Sequence, residues 1–98
     1  MWLVSFPVLA ARPQFEIEIK NHMFYPDRIV IPANTKVRLI VHNRDTTPEE
    51  FESFELNREK VIAGESTTAI FVGPLNPGAY PFFGEFNLET AQGMIIAE

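Results

Sequence analysis

From residue 15 to residue 20 apolar and charged side chains alternate without a break: Phe15, Ile17 and Ile19 fall on one side, Glu16, Glu18 and Lys20 on the other. A two-residue period is that of a strand with one buried and one solvated face, and no helix satisfies it. The pattern returns at residues 36–43, where Val37, Leu39 and Val41 alternate with Lys36, Arg38, Ile40 and His42. Shorter β-branched or aromatic runs follow at 28–31, 51–56, 60–62, 66–72, 79–83 and 93–97, broken by Pro32, by Gly64 and by the turn-forming cluster Gly73-Pro74-Leu75-Asn76-Pro77-Gly78. A helix finds room only near residues 57–60. Strands at this spacing, with no sustained helical period, predict an all-β fold: an antiparallel Greek-key β-sandwich of about seven to eight strands, its core supplied largely by nine Phe.

Ninety-eight residues suffice for one hydrophobic core and no more. Thirteen acids against eight bases give a net charge of −5, and no run of Lys or Arg could neutralise a row of phosphates, which argues against a nucleic-acid partner. The chain has no Cys, so thiolate catalysis, thiolate metal sites and disulfides are all removed. Residues 1–11, MWLVSFPVLAA, are apolar and uncharged. They read as the end of a secretory signal ahead of a domain at 12–98, and so as a sign of export to the periplasm or another extracytoplasmic space. Eleven residues are too few to cross a bilayer, which takes about 20. Neither a Gly-x-Ser-x-Gly elbow nor a phosphate-cradling Gly loop is present.

Particular residues then carry a resemblance. The order Phe24-x-Pro26, Ile29-Val30-Ile31-Pro32-Ala33, Val37-x-Leu39-x-Val41-x-Asn43-x-Asp45, and Pro77-Gly78-x-Tyr80-x-Phe82 before a Gly93-containing strand resembles the cupredoxin family over residues 15–98. The stretches at 47–57 and 82–87 resemble the small exported cupredoxin-like proteins that accompany bacterial iron permeases. The departures are as informative. On the family pattern, the first His of a type 1 copper site falls on Glu49, the Cys on Gly84, the second His near Asn87 and the Met near Ala91. A site built on soft thiolate sulfur and imidazole cannot form from these residues.

The resemblance also implies that the loops around Glu49 and after Phe83 meet at one end of the sandwich. That end collects Glu49, Glu50, Glu52, Glu85 and Glu89, with His22 and Met23 beside them. Converging carboxylates repel unless a cation offsets them; oxygen and imidazole donors together suit Fe, Mn or Cu(II), while a pure oxygen set would suit Ca or Mg. Glu49 and Glu50 are the expected principal ligands, Glu85 and Glu89 contributors, and His22 a nitrogen donor; losing any one should weaken binding and leave the fold intact. On a regular strand, however, Glu49 and Glu50 would point to opposite faces, and they converge only on irregular backbone. His42 should face outward, and Met23 and Met94 should fill the core.

The expectation is a monomeric, exported accessory of iron or copper uptake that binds iron or copper in place of type 1 copper. It would assist Fe(II) oxidation or pass the metal to a membrane iron permease or other exported uptake component. Two alternatives stand beside it. One is a metal-free interaction module whose acidic face docks a basic partner; the other is a copper carrier using His22 and Met23.

Overall fold

A computed structural model describes Leu3 and residues 12–98; the expected signal segment, Leu3 apart, lies outside the described residues. Two sheets face each other. One holds four strands in the order β2-β1-β4-β7: β1 (Gln14–Lys20), β2 (Met23–Tyr25), β4 (Val37–Asn43) and β7 (Thr67–Val72). The other holds five in the order β3-β9-β8-β5-β6: β3 (Arg28–Ile31), β5 (Glu49–Ser53), β6 (Arg58–Ile62), β8 (Gly78–Gly84) and β9 (Gln92–Ala97). A 3₁₀ turn, Glu85–Asn87, links β8 towards β9.

The alternation sorts the faces as the sequence dictates. Ile17, Ile19, Val37, Leu39 and Val41 are buried, while Glu16, Glu18, Lys20 and Arg38 are exposed. At the centre Phe24, Phe51 and Phe82 pack against one another, with ring centroids 4.9 Å apart for Phe82 with either partner and 6.2 Å for Phe24 with Phe51. These contacts add to the burial of apolar area that holds the two sheets together.

The architecture is the all-β sandwich expected, with differences of detail. Nine strands are seen among the described residues where seven to eight were expected, the addition being β2, three residues too short to show a period. The sheets are mixed rather than antiparallel: β1 runs parallel to β4, and β3 parallel to β9. Alternation determines which face a side chain takes and leaves the direction of the neighbouring strand open. Residues 57–60 form no helix. Asn57 takes the left-handed conformation, φ 53°, in the turn from β5, and β6 begins at Arg58. Of the two methionines assigned to the core, Met23 is 36% exposed and Met94 only half-buried.

Candidate functional site

β5 is regular, so Glu49, Phe51 and Ser53 turn into the sandwich and Glu50 and Glu52 turn out of it. The residue before the loop into β5, Asn43, is buried and braces that loop. Its amide donates to the carbonyls of Thr47 (2.9 Å), Ile62 (3.2 Å) and Ala63 (3.3 Å), and its Oδ1 accepts from the Asp45 N–H (3.1 Å). The Asp45 carboxylate in turn accepts the N–H groups of Asn21 (2.8 Å) and His22 (2.9 Å), two residues with positive φ at the β1–β2 turn. Asn and Asp at these positions thus set the Glu-rich end, through hydrogen bonds that their short side chains form close to the backbone.

Glu49 is 1% exposed and its carboxyl group is fully engaged. Oε1 accepts from the N–H groups of Glu50 (3.0 Å) and Phe86 (2.9 Å), and Oε2 accepts from Asn87 Nδ2 (2.6 Å). Gly84 lies against it. A Cβ at position 84 would stand 2.6 Å from both the Glu49 Cδ and the Ala91 Cβ. Gly84 N–H donates to Ala91 O (2.9 Å), and Ala91 N–H to Asn87 O (2.8 Å). The four positions that the cupredoxin pattern assigns to copper ligands therefore converge in space, and they close on one another. A thiolate has no room at Gly84 and the chain has no Cys to supply one, so type 1 copper does not fit.

The outward face is arranged differently. Oxygens of Glu50, Glu52 and Glu85 lie within 4.8 Å of one another, with Glu85 exposed and the other two partly so. Glu52 also sits directly opposite Glu59 on β6, a like-charge cross-strand pair that destabilises a sheet. Partial withdrawal from water, a hydrogen bond with Glu50 and the negative charges of Glu59, Glu85 and Glu50 push the Glu52 carboxyl up to about 6. Beside the acids the same face carries Val61, opposite Glu50, and Phe83, opposite Glu52. Phe83 packs against Phe54 at 5.4 Å.

The expected ligand residues separate into three places. Glu49 is inside. Glu50 and Glu85 meet in the outer triad, joined by Glu52, a member that the two-residue period shared with Glu50 could have singled out. His22 and Glu89 stand outside the triad but adjoin it, lining with Thr90 a surface cleft of about 430 Å³ to which Glu85 also contributes. There Thr90 Oγ1 donates to the His22 carbonyl (2.6 Å), and His22 Nε2 is 3.4 Å from Thr47 Oγ1. His42 lies on the outer face of the other sheet, bonded to Thr67 (2.9 Å) and Glu16 (3.0 Å). Arg44 pairs with Glu18 at 3.3 Å, whereas Arg58 is taken up by the carbonyls of Phe71 (2.8 Å) and Asn57 (2.9 Å).

The family model for the cupredoxin-like domain matches residues 1–97. The chain belongs to this family. A similar protein is RP394 of Rickettsia prowazekii (strain Madrid E), described as uncharacterized, 48% identical over 83 residues. That match covers 85% of this chain and 66% of the relative's length. Among solved structures, the fold is shared with auracyanin A, a blue copper protein of Chloroflexus aurantiacus, at a TM-score of 0.77 and 10% identity, over 90% of this chain and 100% of that one. It is also shared with the metal-binding domain, with Cu(I), of the Cu(I)-exporting P-type ATPase CopA of Streptococcus pneumoniae D39. There the TM-score is 0.77 at 14% identity, over 87% of this chain and 84% of that one. At such identities the likeness is one of fold. This cupredoxin-like chain keeps the architecture and fills the place of the copper ligands with hydrogen bonds and close contacts.

Proposed function

We propose that this cupredoxin-like chain is an extracytoplasmic accessory of metal uptake that holds a cation on its surface, at Glu50, Glu52 and Glu85, instead of in the sandwich interior. The observation that carries the reading is the triad itself, three carboxylate oxygens within 4.8 Å with no cationic side chain paired to them among the described residues. An all-oxygen donor set is hard and suits iron, with a bias towards Fe(III), better than it suits Cu(I). The resemblance to proteins that accompany iron permeases makes iron the first ion to try and a membrane permease the recipient. An open, three-ligand site suits an ion that is to be handed on. Export, suggested by residues 1–11, puts the protein where such a hand-over occurs.

Anaerobic calorimetric titration with Fe(II), Mn(II), Cu(I) and Cu(II) tests this. Binding near micromolar, about −8 kcal/mol, is expected for Fe(II) or Mn(II). It should weaken at least tenfold in Glu52→Gln and fade as the pH drops below about 6, where Glu52 takes up a proton. Heat that is unchanged in Glu52→Gln would overturn the choice of site.

A second reading has its own observation. Phe54 is 72% and Val61 52% exposed on or beside the acidic face, a combination that suits docking of a basic, apolar segment of a partner protein. Absence of heat from every metal would favour it.

A further inference from the structure

Far from the His22 cleft, at the end where β1 and β4 begin and β7 finishes, this acidic chain concentrates positive charge around one exposed aromatic ring. Phe71 is 40% exposed on the outer face of the four-stranded sheet. The Arg12 guanidinium and the Lys36 ammonium each stand 5.4 Å from its ring centroid. Arg38 is its cross-strand partner, and Arg58 donates to its carbonyl. Four of the chain's eight basic residues are thus gathered at one ring, although the net charge is −5. Arg12, Lys36 and Arg38 are exposed, and none has a carboxylate within 4.0 Å among the described residues. Arg12, Gln14, Arg38 and Phe71 line a shallow groove of about 320 Å³.

We infer that this patch docks the domain on an anionic lipid bilayer through the outer face of the four-stranded sheet. Guanidinium groups bind phosphate oxygens in a bidentate fashion, and an aromatic ring among cations suits the boundary between headgroups and acyl chains. Basic residues near an anionic surface each add to the attraction, and the effect falls off within a Debye length. What points to a membrane rather than an acidic protein is the connection of the chain. The apolar, uncharged residues 1–11, which include Trp2, Leu3 and Phe6, enter the domain at Arg12, inside the patch. The membrane that such a segment inserts into or leaves is the surface this patch meets first. Docking here is independent of any cation at Glu50, Glu52 and Glu85.

The test is co-sedimentation of the full chain with vesicles of phosphatidylcholine alone and with about 30% phosphatidylglycerol, in about 50 and about 300 mM NaCl. The expected result is partitioning about tenfold stronger onto the anionic vesicles at low salt, and much less preference at high salt. A Lys36→Glu/Arg38→Glu chain should lose that preference while keeping its thermal transition. Lys36→Gln/Arg38→Gln, which introduces no new charge, should lose part of it. Equal binding to both vesicles, binding to neither, or a preference that survives the charge reversal would overturn the proposal. Binding to neither, with capture of an acidic peptide by the same residues, would assign the patch to a protein partner instead.

Discussion

On β5, Glu49 turns into the sandwich and Glu50 turns out of it, and the two sides treat the same side chain in opposite ways. Inside, the carboxyl group meets three donors, from Glu50, Phe86 and Asn87, and a glycine that leaves it room. Outside, Glu50 meets Glu52 and Glu85, and Glu52 faces Glu59. The inner group stabilises the fold because its oxygens are satisfied away from water. The outer groups oppose the fold at neutral pH, and a cation would relieve them. One residue's shift along a strand therefore separates a carboxyl group held by hydrogen bonds from carboxylates left to repel one another.

The comparison breaks first at Glu49. Replacing Glu49 by Ala leaves the part-buried Phe86 N–H and Asn87 amide without their acceptor and removes a buried side chain, and a loss of about 2 kcal/mol is expected in urea unfolding. A loss near zero would mean that the interior hydrogen bonds contribute little. Next in size is Gly84→Ala, whose methyl would press on Glu49 and Ala91. A destabilisation of about 1–3 kcal/mol is expected, visible as a lower denaturation midpoint, with Phe86 and Asn87 amide resonances shifted in NMR spectra.

On the outer face the sign reverses. Because the Glu52 carboxyl sits at about 6 in the folded protein against 4.5 as its ordinary value, the folded state holds that proton more tightly. Stability from this group is present below about 4.5 and is lost as the pH rises through about 6. Glu52→Gln should therefore raise the melting temperature at neutral pH and leave it unchanged at about pH 4, a pair of thermal scans being enough to check it. Smallest of all is Arg44→Ala, which removes a half-exposed ion pair with Glu18. A change within about 1 kcal/mol is expected, and a larger one would show that charge pairing at this end supports the fold more than its exposure suggests.

The sandwich was legible because its strands declare themselves one at a time. The alternation at β1 and β4 depends on local side chains alone. β2 was not, since Met23, Phe24 and Tyr25 give a single buried residue between two exposed ones, and strand direction is decided by partners far along the chain. The convergence of Glu49, Gly84, Asn87 and Ala91 followed from the family pattern, but the way they close did not. Asn87 donates to a carboxyl group 38 residues away, a contact that no spacing announces. Glu50 and Glu52 share a face by the two-residue period and could be paired from sequence. The approach of Glu85 to them depends on the 3₁₀ turn after β8, which also leaves Glu85 on the rim of the cleft that Glu89 lines.

The central claim is that a cation meets this protein on the outer face of β5 and not inside the sandwich. Its most direct test is an NMR titration with Mn(II), whose unpaired electrons broaden the resonances of nearby amides, on ¹⁵N-labelled protein. Broadening centred on Glu50, Glu52, Glu59 and Glu85 is the expected result, and it should disappear in Glu52→Gln. Broadening centred on His22 and Glu89, or none at any site, would contradict the account.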